Sequence, residues 1–371
     1  MTGETERLPS LDPSTTESPR TSRLRGPSPV RSAPARRLTK PDGGVLTHTR
    51  VLLIALAGVA VFGRISSPTF FNTANLQNIM LNVSILGMLA LGLTVVMLLR
   101  EIDLSVGSLM AFAPIVAIKL TDFIYQGSET QIVIGGNIVV DGTAMIIALT
   151  LLLSAVVGLA NGLATVKGAV PSVIVTLGAL FALRGGSYVV SGGNQFYLTE
   201  LDNFMWLGSA TVFGFIPMSF VIFMAFGVLG MVSLRFTKIG RRVYAIGGNE
   251  KAAVYTGINA GRWKIIAFVF SGLCAGLAAL FFSSRLGSAE AGQASGFELS
   301  AIAIAVVGGA TLEGGRGTLL NTILASVLLA GVMNIIMLRG LVSWYQTVIL
   351  GLIIIVAGFA YAMKNRQTSE S

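Results

Sequence analysis

The stretch LLREIDLSVGS, residues 98–108, sets Arg100, Glu101 and Asp103 between two apolar runs. Charge is otherwise scarce. The chain has 371 residues, of which 53% are hydrophobic and 12% charged. A soluble domain carries about twice that charged fraction. Mean hydropathy is +0.77, and the 44 glycines suit membrane helices, where glycine is enriched. The expected fold class is therefore all-α: a polytopic membrane protein in which the acids at 101 and 103 mark a seam between two spans.

Spans of about 20 apolar residues can be placed outward from that seam. They fall near 51–69, 78–99, 104–120, 144–166, 171–189, 212–233, 264–284, 299–311, 317–338 and 342–362, about ten in all. The eighth is short. Charge tests the count. Nine of the 26 basic residues precede Val51, and seven lie within 235–264. With the start inside, Arg100, Lys167, the 235–264 loop, Arg316, Lys364 and Arg366 all fall inside. Asp122, Glu129, Asp141, Glu200, Asp202 and Glu290 fall outside. Arg64, Arg285 and Arg339 run slightly against the bias. An even number of crossings with both termini cytoplasmic fits this asymmetry, whereas nine would put a basic end outside. The net charge of +9 is thus a topology signal and not a nucleic-acid footprint.

Residues 1–50 include SPRTSRLRGPSPVRSAPARR (18–37) and carry too little apolar surface to repay ordering. They read as a basic, disordered cytoplasmic tail, either a topology determinant or an arm on anionic membrane lipids. Residues 51–363 form the membrane domain and 364–371 a short cytoplasmic end. No loop has room for a soluble domain.

The start of the third span, DLSVGSLMAFAP (103–114), is echoed by ELSAIAIAVVGG (298–309). These spans run in opposite directions, so the echo suggests an inverted internal repeat, whose short glycine-interrupted segments often line a substrate path.

Chemistry is sparse. No G-x-x-x-x-G-K-[ST] motif occurs, and AIGGNEKAAV (245–254) has the wrong spacing. There is no H-E-x-x-H or C-x-x-C. The single cysteine, Cys274, reads as a packed core side chain, and the single histidine, His48, lies in the polar N-terminal region. No enzyme, cofactor or metal site is expected. GGATLEGGRGT (308–318) reads as a tight turn between close-packed helices. Gly158, Gly162, Gly272 and Gly276 read as close-packing positions. Asn161 and Asn334 either face a polar pathway or join two helices. Arg184 either snorkels or contacts that pathway. At the opening seam, Glu101, Asp103 and Ser105 allow two readings: helix capping with an ion pair to Arg100, or a gate at the cytoplasmic mouth. None of the acids is placed deep in the bilayer by this reading.

The basic loop RFTKIGRRVYAIGGNEKAAVYTGINAGRWK (235–264) mixes charge with apolar residues. It is expected to contain a short amphipathic helix that lies on the membrane or docks on a partner.

Several motifs in order resemble one family: EIDLSVGS (101–108), GLANGLATVKGAVPSVIVTLGALFALRGG (158–186), GRRVYAIGGNEKAAVYTGIN (240–259), FELSAIAIAVVGGATLEGGRGT (297–318) and WYQTVILGLIIIVAG (344–358). The chain looks like an inner-membrane permease subunit of a bacterial sugar ABC importer of the ribose/xylose/galactose group. The resemblance implies a second permease chain, two cytoplasmic ATP-binding subunits and an extracytoplasmic sugar-binding protein. It also implies alternating access for a pentose or hexose. The ATPase-coupling segment it marks contains Gly240, Arg241, Arg242, Tyr244, Ala245, Gly247, Gly248, Asn249, Ala252 and Ala253. Arg100 and Glu101 stand where members usually carry glycines, and the long basic tail is outside the common pattern. An ion-coupled secondary transporter and a non-transporting scaffold or receptor component remain the alternatives from the residues alone.

Overall fold

The computed structural model describes residues 42–125, 131–134, 138–342, 344–353 and 355. Most of the expected tail, the 364–371 end and the last part of the tenth expected span lie outside the described residues.

The architecture is all-α. The elements, in order, are α1 (Asp42–Ser66), α2 (Thr73–Leu98), α3 (Val106–Tyr125), α4 (Gly142–Val166), α5 (Ser172–Ser191), α6 (Asp202–Ser209), α7 (Met218–Phe236), α8 (Lys238–Gly248), α9 (Glu250–Tyr255), α10 (Ala260–Leu286), α11 (Phe297–Val307) and α12 (Leu319–Leu338). A short apolar helix, α13 (Trp344–Ile353), follows. Among the described residues, eight helices are long and apolar enough to cross a membrane, while α11 and α13 are shorter. Three small antiparallel strand pairs decorate the loops: Gln131–Ile134 with Ile138–Asp141, Phe196–Tyr197 with Ser288–Ala289, and Thr211–Val212 with Ile216–Pro217.

α10 and α2 form the centre, and both are largely buried. α10 packs along α4 with little space between them. A Cβ at Gly158 would strike the Phe268 carbonyl, and one at Gly272 would strike the Ser154 carbonyl. These positions are small because two backbones occupy the space a side chain would need. Cys274 lies buried in this core. α1 and α5 are the least buried spans.

Two spans differ from the sequence expectation, for stated reasons. α1 begins at Asp42 and not near Val51, because its polar first turns find partners on the bundle. His48 Nε2 lies 2.9 Å from Val307 O, and Thr49 Oγ1 donates to Asn321 Oδ1 at 2.8 Å. The eighth expected span, 299–311, is only the 11-residue helix α11. At 1.5 Å per residue it reaches about 16 Å, half a bilayer core. Irregular chain at 287–296 covers the rest.

The bundle has a basic end, carrying α8 and α9, and a far end. α2 finishes at the basic end, where Leu98 O accepts from Gly315 N at 2.9 Å. Residues 99–105 then lead back into the bundle and α3 runs to the far end. Conversely, α10 finishes at the far end, residues 287–296 lead back in, and α11 runs to the basic end. The expected echo is therefore a pair of antiparallel helices, each preceded by irregular chain that enters from the opposite end. Irregular backbone at this depth is tolerated only where protein or water satisfies it.

Candidate functional site

α5 helps to satisfy both irregular stretches. Near its start, Ser172 Oγ accepts from Ile102 N at 3.2 Å and Thr176 Oγ1 donates to Ile102 O at 3.2 Å. Twelve residues later, about 18 Å along the helix, Arg184 Nη1 donates to Ala291 O at 2.9 Å and Gln293 O at 2.7 Å. Gln293, itself buried, sends Nε2 to Met110 O at 2.7 Å. Ala294 and Gly296 take positive φ as the chain turns into α11.

Asp103 is 1% exposed. Its Oδ1 accepts from Ser105 N at 3.1 Å and Ser105 Oγ at 2.6 Å, and its Oδ2 accepts from Ser271 Oγ at 2.9 Å. Asn161 Nδ2 donates to Ser105 Oγ at 2.9 Å. The expected capping by Asp103 is present, since its carboxylate holds an amide just before α3. Ser271 lies seven residues beyond Lys264 on α10, about 10 Å further from the basic end, so Asp103 is buried among the helices at that level. The short hydrogen-bonded turn at 102–105 carries it there.

The ion pair is corrected. Among the described residues Arg100 pairs with no acid: Nε donates to Gly247 O at 2.8 Å and Nη2 to Gly248 O at 2.9 Å. Arg100 has φ 67°, a left-handed conformation that costs about 1 kcal/mol and aims the guanidinium at the end of α8. Glu101 pairs instead with Lys264, whose Nζ lies 2.9 Å from Glu101 Oε1 and 2.9 Å from Glu250 Oε2. One lysine thereby ties the α2–α3 turn and α9 to the start of α10.

The basic loop folds as the expected amphipathic helix. Thr237 caps α8, its hydroxyl accepting from Ile239 N, and Asn249 caps α9 by accepting from Ala252 N. α8 buries Gly240, Val243, Ile246 and Gly247. Gly247 must lack a side chain, because a Cβ there would strike Leu98 O and Gly315 N. Tyr244 OH donates to Gly317 O at 2.9 Å, and burial pushes its phenol above the ordinary range, keeping it a donor. The expected coupling residues thus divide. Gly240, Gly247 and Ala253 face the bundle, Tyr244 is half-buried, and Arg241, Arg242, Ala245, Gly248, Asn249 and Ala252 face outward. Val254 and Tyr255 are also exposed, at 52% and 91%. The 308–318 stretch is the expected tight turn, and it additionally seats α8 and the end of α2.

The three pathway candidates separate as well. Asn161 belongs to the Asp103 network. Asn334 pairs with Asn75 through two hydrogen bonds, Asn75 Nδ2 donating to Asn334 Oδ1 at 2.9 Å and Asn334 Nδ2 to Asn75 Oδ1 at 2.7 Å, joining α12 to α2. Arg184 meets the 291–293 chain. Sequence reasoning missed Ser271 as a partner of Asp103, Gln293 as a partner of α3 and Lys264 as the partner of Glu101. Only the ELS echo at Glu298 gave a signal for the second stretch.

Long apolar helices, the half-length α11 beside α3 and an outward-facing platform on a basic loop together define a multi-pass membrane protein. The chain belongs to the permease family described as "Branched-chain amino acid transport system / permease component", which matches residues 75–358. It is 34% identical over 315 residues to the ribose import permease protein of Escherichia coli K12, covering 84% of this chain and 92% of that one. It is 35% identical over 298 residues to the ribose import permease protein of Bacillus subtilis 168, covering 79% and 86%. With the D-allose transport system permease protein of E. coli K12 it shares 32% over 302 residues, covering 81% and 86%. These relatives are components of importers and not enzymes, and they favour the importer reading over the ion-coupled and scaffold alternatives. A permease component of this kind implies ATP-binding and substrate-binding partners.

Proposed function

We propose that the chain is the membrane-spanning subunit of an ATP-driven importer for a simple sugar, a pentose or hexose, and moves it by alternating access. The observation that carries this reading is the 34% identity to a ribose import permease over 92% of that protein's length. The basic end faces the cytoplasm, with both termini on that side, in the bacterial inner membrane. Positive-inside bias supports this orientation.

Two permease chains form the pathway, two ATP-binding subunits dock beneath them, and an extracytoplasmic binding protein delivers the sugar. The outward face of α8 and α9 is the docking surface. It offers Arg241, Arg242, Val254 and Tyr255 to a partner, while its inner face is bound to the α2–α3 and α11–α12 turns. ATP-driven movement of the partner therefore reaches the α2–α3 and α11–α12 turns through Gly247, Tyr244 and the Arg100 guanidinium.

Co-purification with the ATP-binding and binding-protein partners, followed by reconstitution in liposomes, tests this. Sugar-loaded binding protein is expected to stimulate ATP hydrolysis and drive uptake. Uptake that persists without ATP would falsify the reading.

A further inference from the structure

Glu298 is the acid at the start of α11, and among the described residues it has a buried oxygen without a partner. Its Oε2 is shielded from solvent and accepts no hydrogen bond. The oxygen lies over Gly107, where a Cβ would collide with it. Beside it, Arg184 spends only Nη1, on Ala291 O and Gln293 O. Among the described residues, Nε and Nη2 of Arg184 have no acceptor. The Glu298 charge acts on the Arg184 guanidinium, but the two do not form a contact ion pair.

This pair borders an open face. Gly185, Tyr188, Gly292, Ser295 and Leu299 are exposed around it, Tyr188 by 50%. Charged groups within a membrane bundle are expensive against lipid tails and face protein or water instead. The face is therefore turned away from lipid, as a path between two permease chains requires. A carboxylate offers acceptors only and a guanidinium donors only, and together they carry no net charge.

We propose that Arg184 and Glu298 form a station for neutral, polyhydroxylated cargo on the path through the bundle. Once its shielded oxygen is uncovered as the path opens, the carboxylate accepts from a hydroxyl of the cargo, and the free guanidinium N–H groups donate to its oxygens. An ionised cargo would leave one charge of the pair uncompensated, whereas a polyol uses both. One carboxylate oxygen that must first be uncovered and one free guanidinium edge suit brief residence more than tight capture. This inference rests on the importer reading above and adds where in the path the sugar is held.

The test uses the complete transporter in liposomes, with a panel of labelled pentoses and hexoses. Glu298→Ala and Arg184→Ala are each expected to lower maximal uptake about tenfold or more, with the half-saturating concentration of loaded binding protein unchanged. Glu298→Gln, which keeps an acceptor oxygen, should recover part of the loss. Uptake at the wild-type rate in both alanine variants overturns the station. Failure of the unmutated complex to take up any sugar of the panel overturns the importer reading instead. A second measurement is independent of folding loss at the pair. Ser295→Cys is treated with a charged, membrane-impermeant thiol reagent, with the buried Cys274 as the unreactive control. Labelling slowed by sugar-loaded binding protein supports the station, and no labelling in any nucleotide state overturns it.

Discussion

Asp103 and Glu298 introduce helices that run in opposite directions, and each follows irregular chain from a different end of the bundle. Asp103 receives three hydrogen bonds, from Ser105 and Ser271. Glu298 Oε2 receives none. Two similar short motifs, DLS and ELS, thus hold one acid that is saturated by its own fold and one that is left open. The difference suggests a division of labour. The first stretch is fastened, by Asp103 inside and by Arg100 and Glu101 at the basic end. The second is held through backbone carbonyls and keeps side-chain capacity free.

Asp103→Ala is the strongest way to break this comparison. It strands the Ser105 amide and hydroxyl and the Ser271 hydroxyl, at about 3 kcal/mol or more. Glu298→Ala should change stability by less than about 1 kcal/mol, since nothing is bonded to its buried oxygen. Thermal unfolding in detergent reads both, and equal losses would remove the contrast. Gly247→Val comes next. Its side chain would have to displace Leu98 O and Gly315 N, at about 2 kcal/mol. We expect α8 to lift from the turn, and sugar-stimulated ATP hydrolysis to fall while the isolated ATP-binding subunit is unaffected. Lys264→Met leaves Glu101 and Glu250 facing each other and should cost about 1 kcal/mol at low salt. That loss should shrink as salt screens the two acids, so melting curves at two ionic strengths decide it. Asn334→Leu is the smallest change. It removes the amide pair with Asn75, worth about 0.6 kcal/mol in a membrane bundle. A shift in unfolding temperature as large as that of Asp103→Ala would mean that α2 and α12 depend on the pair far more than the geometry implies.

Much of the fold is legible in the residues, because apolar length and basic asymmetry are summed over whole segments. The amphipathic helix in the basic loop and the close packing at Gly158 and Gly272 also follow from local pattern. Burial was not legible. Asp103 reads as a boundary residue because it sits between apolar runs, and only the turn at 102–105, stitched to Ser172 and Ser271, shows that it is buried. Arg100 reads as a partner for the nearby acids, yet its left-handed backbone sends it to carbonyls on α8, which are distant in sequence. Gln293 carries no sequence signal, since its partners are a helix carbonyl on α3 and a serine on α10. The eighth span misleads for a related reason: 287–296 crosses without helical periodicity.

The seam between α4 and α10 has a mechanical consequence. Carbonyls there lie directly over Gly158 and Gly272, so neither helix can slide by a fraction of a turn without driving backbone into backbone. The two must travel as one beam. Any hinge in the protein therefore has to sit elsewhere, and α5, tied to 102 near its start and to 291–293 further along, would carry a shift of one irregular stretch to the other.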